Sequence, residues 1–211
     1  MLQSTEAFDA AFSGQSCEVV RANGSTHALA THLWSGDTTA TDVSLFVDPC
    51  HGPTLDVGCG PGRLAGALAS RGLEVLGIDT SPEAVRLTLA RGAMALRRDI
   101  FDELPIGSQW SHVLLADGNI GLGGDPVVLL RRILELLDEN GTVLVELAGP
   151  GVPSGPEQLR LKVGDTISTS FAWCVLGVDD IERVAADAGL IVMGVRNQGG
   201  RVVATLRPRG V

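Results

Sequence analysis

The sequence predicts an α/β fold built on a mostly parallel sheet that ends in an antiparallel hairpin. From residue 54 onward, short apolar runs alternate with amphipathic helical stretches, which is typical of successive βα units. Near the C terminus two apolar runs flank Gly199-Gly200, and strands joined by so tight a turn must pair antiparallel. With 211 residues, of which 45% are hydrophobic, the chain is long enough for one domain with a substantial core.

The alternating region predicts five strands and three helices before residue 148. Ser81 and Asp125 are suitable N-caps, and each precedes a proline that fits the first turn of a helix. In chain order we expect a strand at 53–57, a helix at 62–71, a strand at 73–79, a helix from Ser81, strands at 93–97 and 111–116, a helix at 125–138 and a strand at 141–147.

The two ends of the chain differ from this pattern. The runs LRLKV and TISTSF flank Gly164-Asp165 and predict a β-hairpin. A helix at 178–188 then ends at Gly189, ahead of the final pair of strands. The first 50 residues are less regular; we expect helices at 4–12 and 38–47 there, and this segment to form a lid.

Composition favours a small molecule as the partner. The chain has 16 basic and 25 acidic residues, a net charge of −9, so a nucleic acid backbone would be repelled. Four cysteines form no CxxC pair, as expected of reduced thiols in the cytoplasm. The N terminus lacks the positive charge of a secretory signal, and no apolar run reaches the roughly 20 residues that would span a bilayer. We therefore expect a cytoplasmic protein that does not enter membranes.

The stretch LDVGCGPGRL, residues 55–64, carries the clearest ligand signal. Its glycines have the spacing GxGxG, whereas a dinucleotide site has GxGxxG, and position 63 is arginine. A carboxylate at Asp56 would repel a pyrophosphate but would favour the ammonium group of an amino acid. Asp79 ends the next predicted strand, where an acid can accept hydrogen bonds from both hydroxyls of a ribose. Such an acid suits a dinucleotide and any other ligand with a ribose equally well.

These motifs resemble those of class I S-adenosylmethionine-dependent methyltransferases. DVGCGPG, the GID at 77–79 and the DGN at 117–119 carry the resemblance, which covers about residues 50–207. The run LLADGNIGLGGDP further resembles a group of bacterial small-molecule methyltransferases. The resemblance implies a Rossmann-like, seven-stranded, mostly parallel sheet with helices on both faces and a reversed final hairpin. It also implies S-adenosylmethionine as the cofactor.

The resemblance also assigns roles to residues. The segment from Asp56 to Gly62, including Gly58, Cys59 and Gly60, would hold the methionine moiety. The other expected cofactor contacts are Asp79 and Thr80 at the ribose, Asp99 and Ile100 at the adenine, and Asp117, Gly118 and Asn119 beside the methyl group. The chain would then be one domain with a lid (1–50), a cofactor-binding core (51–147), a substrate-side insertion (148–175) and a C-terminal helix and hairpin (176–211).

The expected reaction is metal-independent methyl transfer to oxygen, nitrogen or carbon of a small-molecule acceptor. Asp117 is the first candidate for a general base, and His27, His32 and His51 could approach from the lid. Trp34, Trp110 and Trp173 could line an apolar pocket. Alternatives are a rearrangement or cyclisation that leaves S-adenosylmethionine intact, a non-catalytic binding protein, and an oxidoreductase, which the GxGxG spacing and Asp56 disfavour. The oligomeric state stays open.

Overall fold

The computed structural model describes residues 2–104 and 110–210. Its N-terminal part contains more structure than two helices, because two short strands and a third helix lie between them. The elements are α1 (Ser4–Phe12), β1 (Cys17–Arg21), β2 (Thr26–Ala28), α2 (Thr31–Ser35) and α3 (Ala40–Asp42), which continues as a π-helical turn (Val43–Val47). The predicted helices at 4–12 and 38–47 are confirmed by α1 and by α3 with its π-helical turn.

The middle of the chain follows the predicted alternation closely. Ser81 and Asp125 cap their helices by accepting hydrogen bonds from backbone N–H groups of the first turn. The elements are β3 (Thr54–Val57), α4 (Arg63–Ser70), β4 (Val75–Asp79), α5 (Pro82–Ala90), β5 (Met94–Arg97), β6 (Trp110–Leu115), a 3-10 segment (Asn119–Gly124), α6 (Pro126–Leu136) and β7 (Leu137–Leu147).

The C-terminal part supplies five strands and one α-helix. The elements are β8 (Gly155–Val163), β9 (Thr166–Ile167), β10 (Phe171–Val175), a 3-10 turn (Val178–Asp180), α7 (Ile181–Asp187), β11 (Leu190–Gln198) and β12 (Arg201–Pro208). The predicted final hairpin is confirmed, since β11 and β12 pair antiparallel across Gly199-Gly200. Within the described part of the chain, no helix is long and apolar enough to cross a membrane.

The main sheet has seven strands in the order β11-β12-β7-β6-β3-β4-β5. Strands β7, β6, β3, β4 and β5 pair parallel, whereas β12 pairs antiparallel with both of its neighbours. Alternate strand residues divide between two hydrophobic clusters: Val113 packs with α6 and α7, and Leu114 packs with α4 and the π-helical turn. The predicted Rossmann-like sheet with helices on both faces is therefore confirmed.

A second sheet joins the N-terminal segment to the insertion after β7. It is antiparallel, with the order β10-β8-β1-β2 and β9 on the free end of β8. Val19 of β1 pairs with Leu161 of β8, so the strands that meet here are far apart in sequence. The sheet was not predicted, because short strands that depend on such distant pairing give little local signal. Helix α1 packs on it through Ala7 and Ala11.

The predicted hairpin at Gly164-Asp165 is confirmed, but the predicted length of its second strand was wrong. Val163 pairs with Thr166 across the turn, yet β9 ends at Ile167 and β10 begins only at Phe171. Ser168 lies between these strands with 2% of its surface exposed. Its hydroxyl accepts a hydrogen bond from the backbone N–H of Leu161, 2.9 Å away. A side chain therefore replaces a backbone partner at this point and ends the strand.

Candidate functional site

A cavity of about 470 Å³ lies at the carboxyl ends of β3, β4 and β6. Asp56, Asp79 and Asp117, which lie at or just beyond the ends of these strands, line its floor. Its roof is formed by α1 and by one face of the second sheet. Crevices at the carboxyl ends of parallel strands are the usual ligand sites of open α/β sheets, and the volume is that of a small-molecule site.

Most of the residues that the sequence singled out line this cavity. They are Asp56, Gly58, Cys59, Gly60, Asp79, Thr80, Asp99, Asp117 and Asn119. The other three have different surroundings. Gly62 begins α4 against Thr88, Ile100 is 3% exposed in the hydrophobic core, and Gly118 lies behind the cavity beside Trp173. The cofactor contacts expected of all twelve residues stay predictions.

The glycine loop is braced by the side chain of Asn119. The Asn119 Nδ2 atom donates hydrogen bonds to the carbonyl oxygens of Val57 and Gly58, each at 2.9 Å. Gly58 has a φ of +67°, and a Cβ atom there would lie 2.7 Å from Asn119 Nδ2. The position therefore requires glycine both for its backbone conformation and for the closeness of the amide.

Asp79 connects the glycine loop to the start of α5. Its Oδ2 accepts a hydrogen bond from the backbone N–H of Gly60 and its Oδ1 accepts one from that of Ser81, both at 2.9 Å. Burial raises the pKa of this carboxyl, while the two backbone donors act in the opposite direction. Each oxygen keeps a further lone pair for a ligand hydroxyl.

Thr80, which is expected at the ribose, and Asp99, which is expected at the adenine, are both exposed. Thr80 follows β4, and its carbonyl oxygen accepts a hydrogen bond from Arg97 Nε. Asp99 follows β5, and its Oδ1 accepts a hydrogen bond from the backbone N–H of Phe101 at 3.1 Å. Asp99 therefore organises its own loop, and its second oxygen is free of any hydrogen bond recorded in the described residues.

Asp56 is the most buried acid of the cavity, with 3% of its surface exposed. Burial is the main cause that raises its pKa to about 7, and the negative charge of Asp117 adds to the effect. The nearby cation Arg63 lowers the pKa but does not offset the burial. A positively charged ligand group beside Asp56 would supply the compensation that the protein itself does not.

A cluster of five charged residues reaches the cavity through Arg63 and Asp117. Arg63 Nη2 is 2.6 Å from Asp117 Oδ2, and Arg201 Nη2 is 2.6 Å from Glu146 Oε2. Both arginines also form ion pairs with Asp42. The cluster thus joins α3, α4, β7, β12 and the loop after β6, and it ties the N-terminal segment to the main sheet.

Asp117 is held from several sides. Besides Arg63, it lies 3.3 Å from Arg201 Nη2 through Oδ1, and its backbone N–H donates to Glu146 Oε2 at 2.6 Å. Its φ of +53° is a left-handed conformation that a residue other than glycine rarely adopts. Burial raises the pKa of Asp117, the charge of Glu146 raises it further, and the two arginines lower it. Strained residues fixed in this way cluster at functional sites.

Four residues of this cluster had no predicted role: Arg63, Asp42, Glu146 and Arg201. Arg63 directly follows the glycine motif, and a charged residue at the first position of an otherwise apolar helix was the one available signal. Asp42, Glu146 and Arg201 come from elements far apart in the chain, so only the fold brings them together. Burial acts to raise the pKa of Asp42, but hydrogen bonds from Thr39 and Arg63 outweigh it and lower this pKa to about 2.

Aromatic side chains cover the cavity in a continuous row. Phe and Trp total eight residues in this chain, which has no tyrosine, and five of them line the cavity. Neighbouring ring centroids are 5.8 to 6.4 Å apart, in the order Trp34, Phe12, Phe8, Phe171 and Trp173. The predicted pocket role thus fits Trp34 and Trp173. Trp110 instead lies in the core with 2% of its surface exposed.

The histidines and cysteines contribute less to the cavity. His27 lines it, whereas the backbone N–H of His51 donates to His112 Nε2 at 3.1 Å elsewhere on the main sheet. The Cys59 thiol lies 3.5 Å from Thr88 Oγ1, and burial raises its pKa well above the ordinary value, which does not favour a nucleophile. In the parts of the chain that the structure describes, no three or more His, Cys, Asp or Glu side chains form a candidate metal site.

Residues 54–141 match the family model described as a methyltransferase domain. This segment begins at β3, ends within β7 and includes the whole glycine loop, Asp79 and the loop after β6. No curated protein matches the chain.

Solved methyltransferase structures share the fold. One from Bacteroides fragilis, in complex with S-adenosyl-L-homocysteine, superposes with a TM-score of 0.80 at 21% identity, covering 97% of this chain and 94% of its own. The sugar N-methyltransferase KedS8 from Streptoalloteichus gives a TM-score of 0.59 at 15% identity, covering 77% and 82%. The 1,6-didemethyltoxoflavin-N1-methyltransferase from Burkholderia thailandensis gives 0.62 at 15% identity, covering 85% and 82%. At these identities the likeness establishes the fold.

Proposed function

We propose that this chain, which carries a methyltransferase domain over residues 54–141, transfers a methyl group from S-adenosylmethionine to a small-molecule acceptor. The domain match and the fold support an enzyme with S-adenosylmethionine as its cofactor. The receiving atom is oxygen, nitrogen or carbon, and the reaction needs no metal ion. The acceptor's identity and the role of each residue below belong to the proposal.

The observation that carries the proposal is the placement of Asp56 and Asp79. They lie on neighbouring parallel strands, at the two sides of one glycine loop, and both face the same cavity. Asp79 is pre-oriented by two backbone N–H groups to accept hydrogen bonds from ribose hydroxyls. Asp56 lies across the glycine loop from Asp79 and supplies a buried carboxylate. The ammonium group at the methionine end of the cofactor would neutralise its charge.

Arg63 also fits this cofactor, because it can pair with the carboxylate of the methionine moiety. Arg63 Nε is buried and has no hydrogen-bond partner, although both Nη atoms of the same guanidinium form ion pairs. A buried donor left unpaired costs free energy, and a carboxylate is the strongest partner for it. Asp56 and Arg63 therefore offer opposite charges to the two charged groups of an amino acid.

The chain's own contribution to the reaction is positioning and the exclusion of water. S-adenosylmethionine supplies, when bound, a methyl group on a sulfonium that is already activated for displacement. Residues of the cavity floor fix the cofactor, and residues of the roof hold the acceptor. Such orientation of two reactants can lower the activation barrier by up to roughly 7–11 kcal/mol. The apolar rings of the roof keep water away from the reacting atoms.

An acceptor that carries a proton needs a base, and Asp117 remains the first candidate. Its burial favours proton uptake, whereas its ion pairs with Arg63 and Arg201 oppose it. We therefore expect Asp117 to orient the site at least as much as it moves a proton. His27 is the histidine of the lid that lines the cavity, and it is the second candidate.

Calorimetric titration tests the proposal. S-adenosylmethionine and S-adenosylhomocysteine should bind, and Asp79→Ala should weaken both about tenfold or more, because two backbone donors and the hydroxyls lose their acceptor. Asp37→Ala is the matched control, since the Asp37 side chain is fully exposed. Tighter binding of NADH than of S-adenosylmethionine would overturn the proposal.

Turnover separates the remaining alternatives. Release of S-adenosylhomocysteine with a panel of acceptors is the expected result. A converted acceptor with S-adenosylmethionine left intact would indicate a rearrangement or cyclisation instead. Binding of the cofactor without any turnover would indicate a non-catalytic protein.

A further inference from the structure

The inner face of the second sheet combines aromatic and charged side chains in one surface. Alternate residues of β1, β8 and β10 face the cavity, as the period of a strand requires. Register places Glu157 directly opposite Trp173, and Leu159 directly opposite Phe171 and Arg21. Residues directly opposite each other point to the same face, so this surface has an apolar part and a charged part side by side.

The apolar part is a pair of rings over the end of β6. Phe171 and Trp173 have ring centroids 6.4 Å apart and planes nearly perpendicular. A Cβ atom at Gly121 would lie 2.7 Å from the Trp173 ring, so the indole rests directly on the loop that follows Asp117. These two rings therefore stand above the part of the floor that the resemblance assigns to the methyl group.

The charged part is the ion pair between Arg21 and Glu157. Arg21 Nη1 lies 2.5 Å from Glu157 Oε1, and both side chains are partly exposed. Glu157 Oε2 has no hydrogen-bond partner and is buried. Glu157 lines the cavity, and the last torsion of a glutamate has no narrow preference, so its carboxylate can rotate to meet a ligand. The remaining N–H groups of Arg21 form no hydrogen bond recorded in the described residues, so a free acceptor and a free donor lie next to each other.

We infer that the acceptor is a flat heteroaromatic molecule with a lactam edge, an N–H group next to a carbonyl. The ring packs against Phe171 and Trp173, the N–H donates to Glu157, and the carbonyl oxygen accepts from Arg21. This inference rests on the proposed function and names the substrate class for its site. Planar rings suit aromatic neighbours, and the paired donor and acceptor match the two groups of a lactam in position and polarity.

Other acceptor classes fit this surface less well. A sugar would bury several hydroxyl groups against Leu159, Phe171 and Trp173, where they would lack hydrogen-bond partners. A polyanion would meet Glu157 above and three aspartates below. A purely apolar molecule would leave the Glu157 oxygen buried and unpaired.

The test uses three probes at saturating S-adenosylhomocysteine, followed by calorimetry and by quenching of tryptophan fluorescence. Isoquinolone is flat and has the lactam edge. N-methylisoquinolone is equally flat but lacks the N–H, and valerolactam keeps the edge on a saturated ring. We expect isoquinolone to bind about tenfold or more tightly than either comparison probe, the loss expected for one charge-assisted hydrogen bond or for the stacking.

Variants assign the effect to the two parts of the surface. Glu157→Ala should reduce isoquinolone affinity to that of N-methylisoquinolone, and Phe171→Leu should reduce it toward that of valerolactam. Gln158→Ala is the control, because Gln158 neighbours Glu157 on the same strand but is exposed and absent from the cavity lining. Weak isoquinolone binding that none of these changes affects would overturn the inference.

The two proposals fail in different ways. Binding of S-adenosylhomocysteine without preference among the three probes would overturn the acceptor class and leave the proposed function in place. Failure to bind S-adenosylhomocysteine at all would overturn the proposed function, and with it the acceptor class that rests on it.

Discussion

Arg63 and Asp117 form an ion pair at the floor of the cavity, with 2.6 Å between Nη2 and Oδ2. The Arg63 side chain is 6% exposed and also pairs with Asp42, which is 2% exposed. One guanidinium therefore compensates both the buried Asp42 carboxylate and the Asp117 carboxylate, whose side chain is 28% exposed. Asp42 and Asp117 also pair with Arg201, so the ion pair is part of a network that spans the N-terminal segment and the main sheet.

Arg63→Met should destabilise the protein strongly. Methionine preserves the apolar length of the side chain but leaves Asp42 and Asp117 with only Arg201, and breaking a buried pair typically costs about 3–5 kcal/mol. Urea denaturation measures the free energy of unfolding. Arg71→Met is the matched control, because Arg71 pairs with Asp48 while both side chains are about half exposed, and such pairs contribute about 1 kcal/mol or less. Equal losses in the two variants would contradict this account.

How much the sequence predicted depends on whether the signal was local. Strands β3, β4 and β6 could be placed because each is a short apolar run between breakers, and Ser81 and Asp125 mark their helices by side-chain capping. The second sheet could not, because β1 and β2 pair locally only with each other, and β1 gains its second neighbour only when the distant strand Gly155–Val163 returns to it. The pairing of β8 with β1 also forms the roof of the cavity.

The residues of the candidate site also differ in whether a local sequence signal identifies them. Asp56, Gly58 and Asp79 could be identified because their motif is contiguous or follows a strand directly. Glu157 and Arg21 gave no signal, since nothing in either local sequence shows that they face each other across β8 and β1. The proposed cofactor residues were thus predictable from spacing, whereas the proposed acceptor residues required the structure.

Cofactor affinity should rise with pH around neutrality. Asp56 has a pKa of about 7 in the empty cavity, so it is largely protonated at about pH 6 and largely ionised at about pH 8. A cationic ammonium group binds the ionised form, and below the pKa the affinity should fall by up to about tenfold per pH unit. Titration with S-adenosylhomocysteine across this range measures the change.

Proton release assigns this pH dependence to Asp56. Near pH 7, binding should release a proton from Asp56, seen as a dependence of the binding enthalpy on the ionisation enthalpy of the buffer. Asp56→Asn should abolish this release and flatten the affinity profile at its low-pH level. An unchanged release in Asp56→Asn would assign the proton to another group and reject the prediction.

Asn119→Asp should weaken cofactor binding by loosening the glycine loop. The amide nitrogen donates to the carbonyls of Val57 and Gly58, and a carboxylate of the same size would place an acceptor against two acceptors. We expect a loss of about 1–3 kcal/mol in unfolding free energy, with weaker binding of S-adenosylhomocysteine. The matched control is Asn140→Asp, because Asn140 is exposed and lies outside the cavity lining. Unaltered binding and stability in Asn119→Asp would show that the loop holds its shape without this amide.

Gly62→Ala and Gly72→Ala separate two reasons for a glycine. Their φ angles are nearly equal, +81° and +77°, so alanine pays a similar backbone cost of about 1–2 kcal/mol at both positions. At Gly72 no atom lies within 4 Å of the added Cβ, whereas at Gly62 the Cβ would lie 2.7 Å from the Thr88 Cα atom. Gly62 therefore allows α4 and α5 to approach, and a further cost of about 1–3 kcal/mol is expected there.

The difference between these two variants tests how the glycine motif works. Because the added Cβ atom would meet Thr88, Gly62→Ala should lower the free energy of unfolding more than Gly72→Ala does, as urea denaturation would show. Because α4 begins at the residue after Gly62, a shift of this helix should also weaken binding of S-adenosylhomocysteine through Arg63. Equal stability of the two variants would mean that the helices can separate without cost. Full cofactor affinity in a destabilised Gly62→Ala would restrict Gly62 to packing, and the ligand contacts of the motif to Gly58 and Gly60.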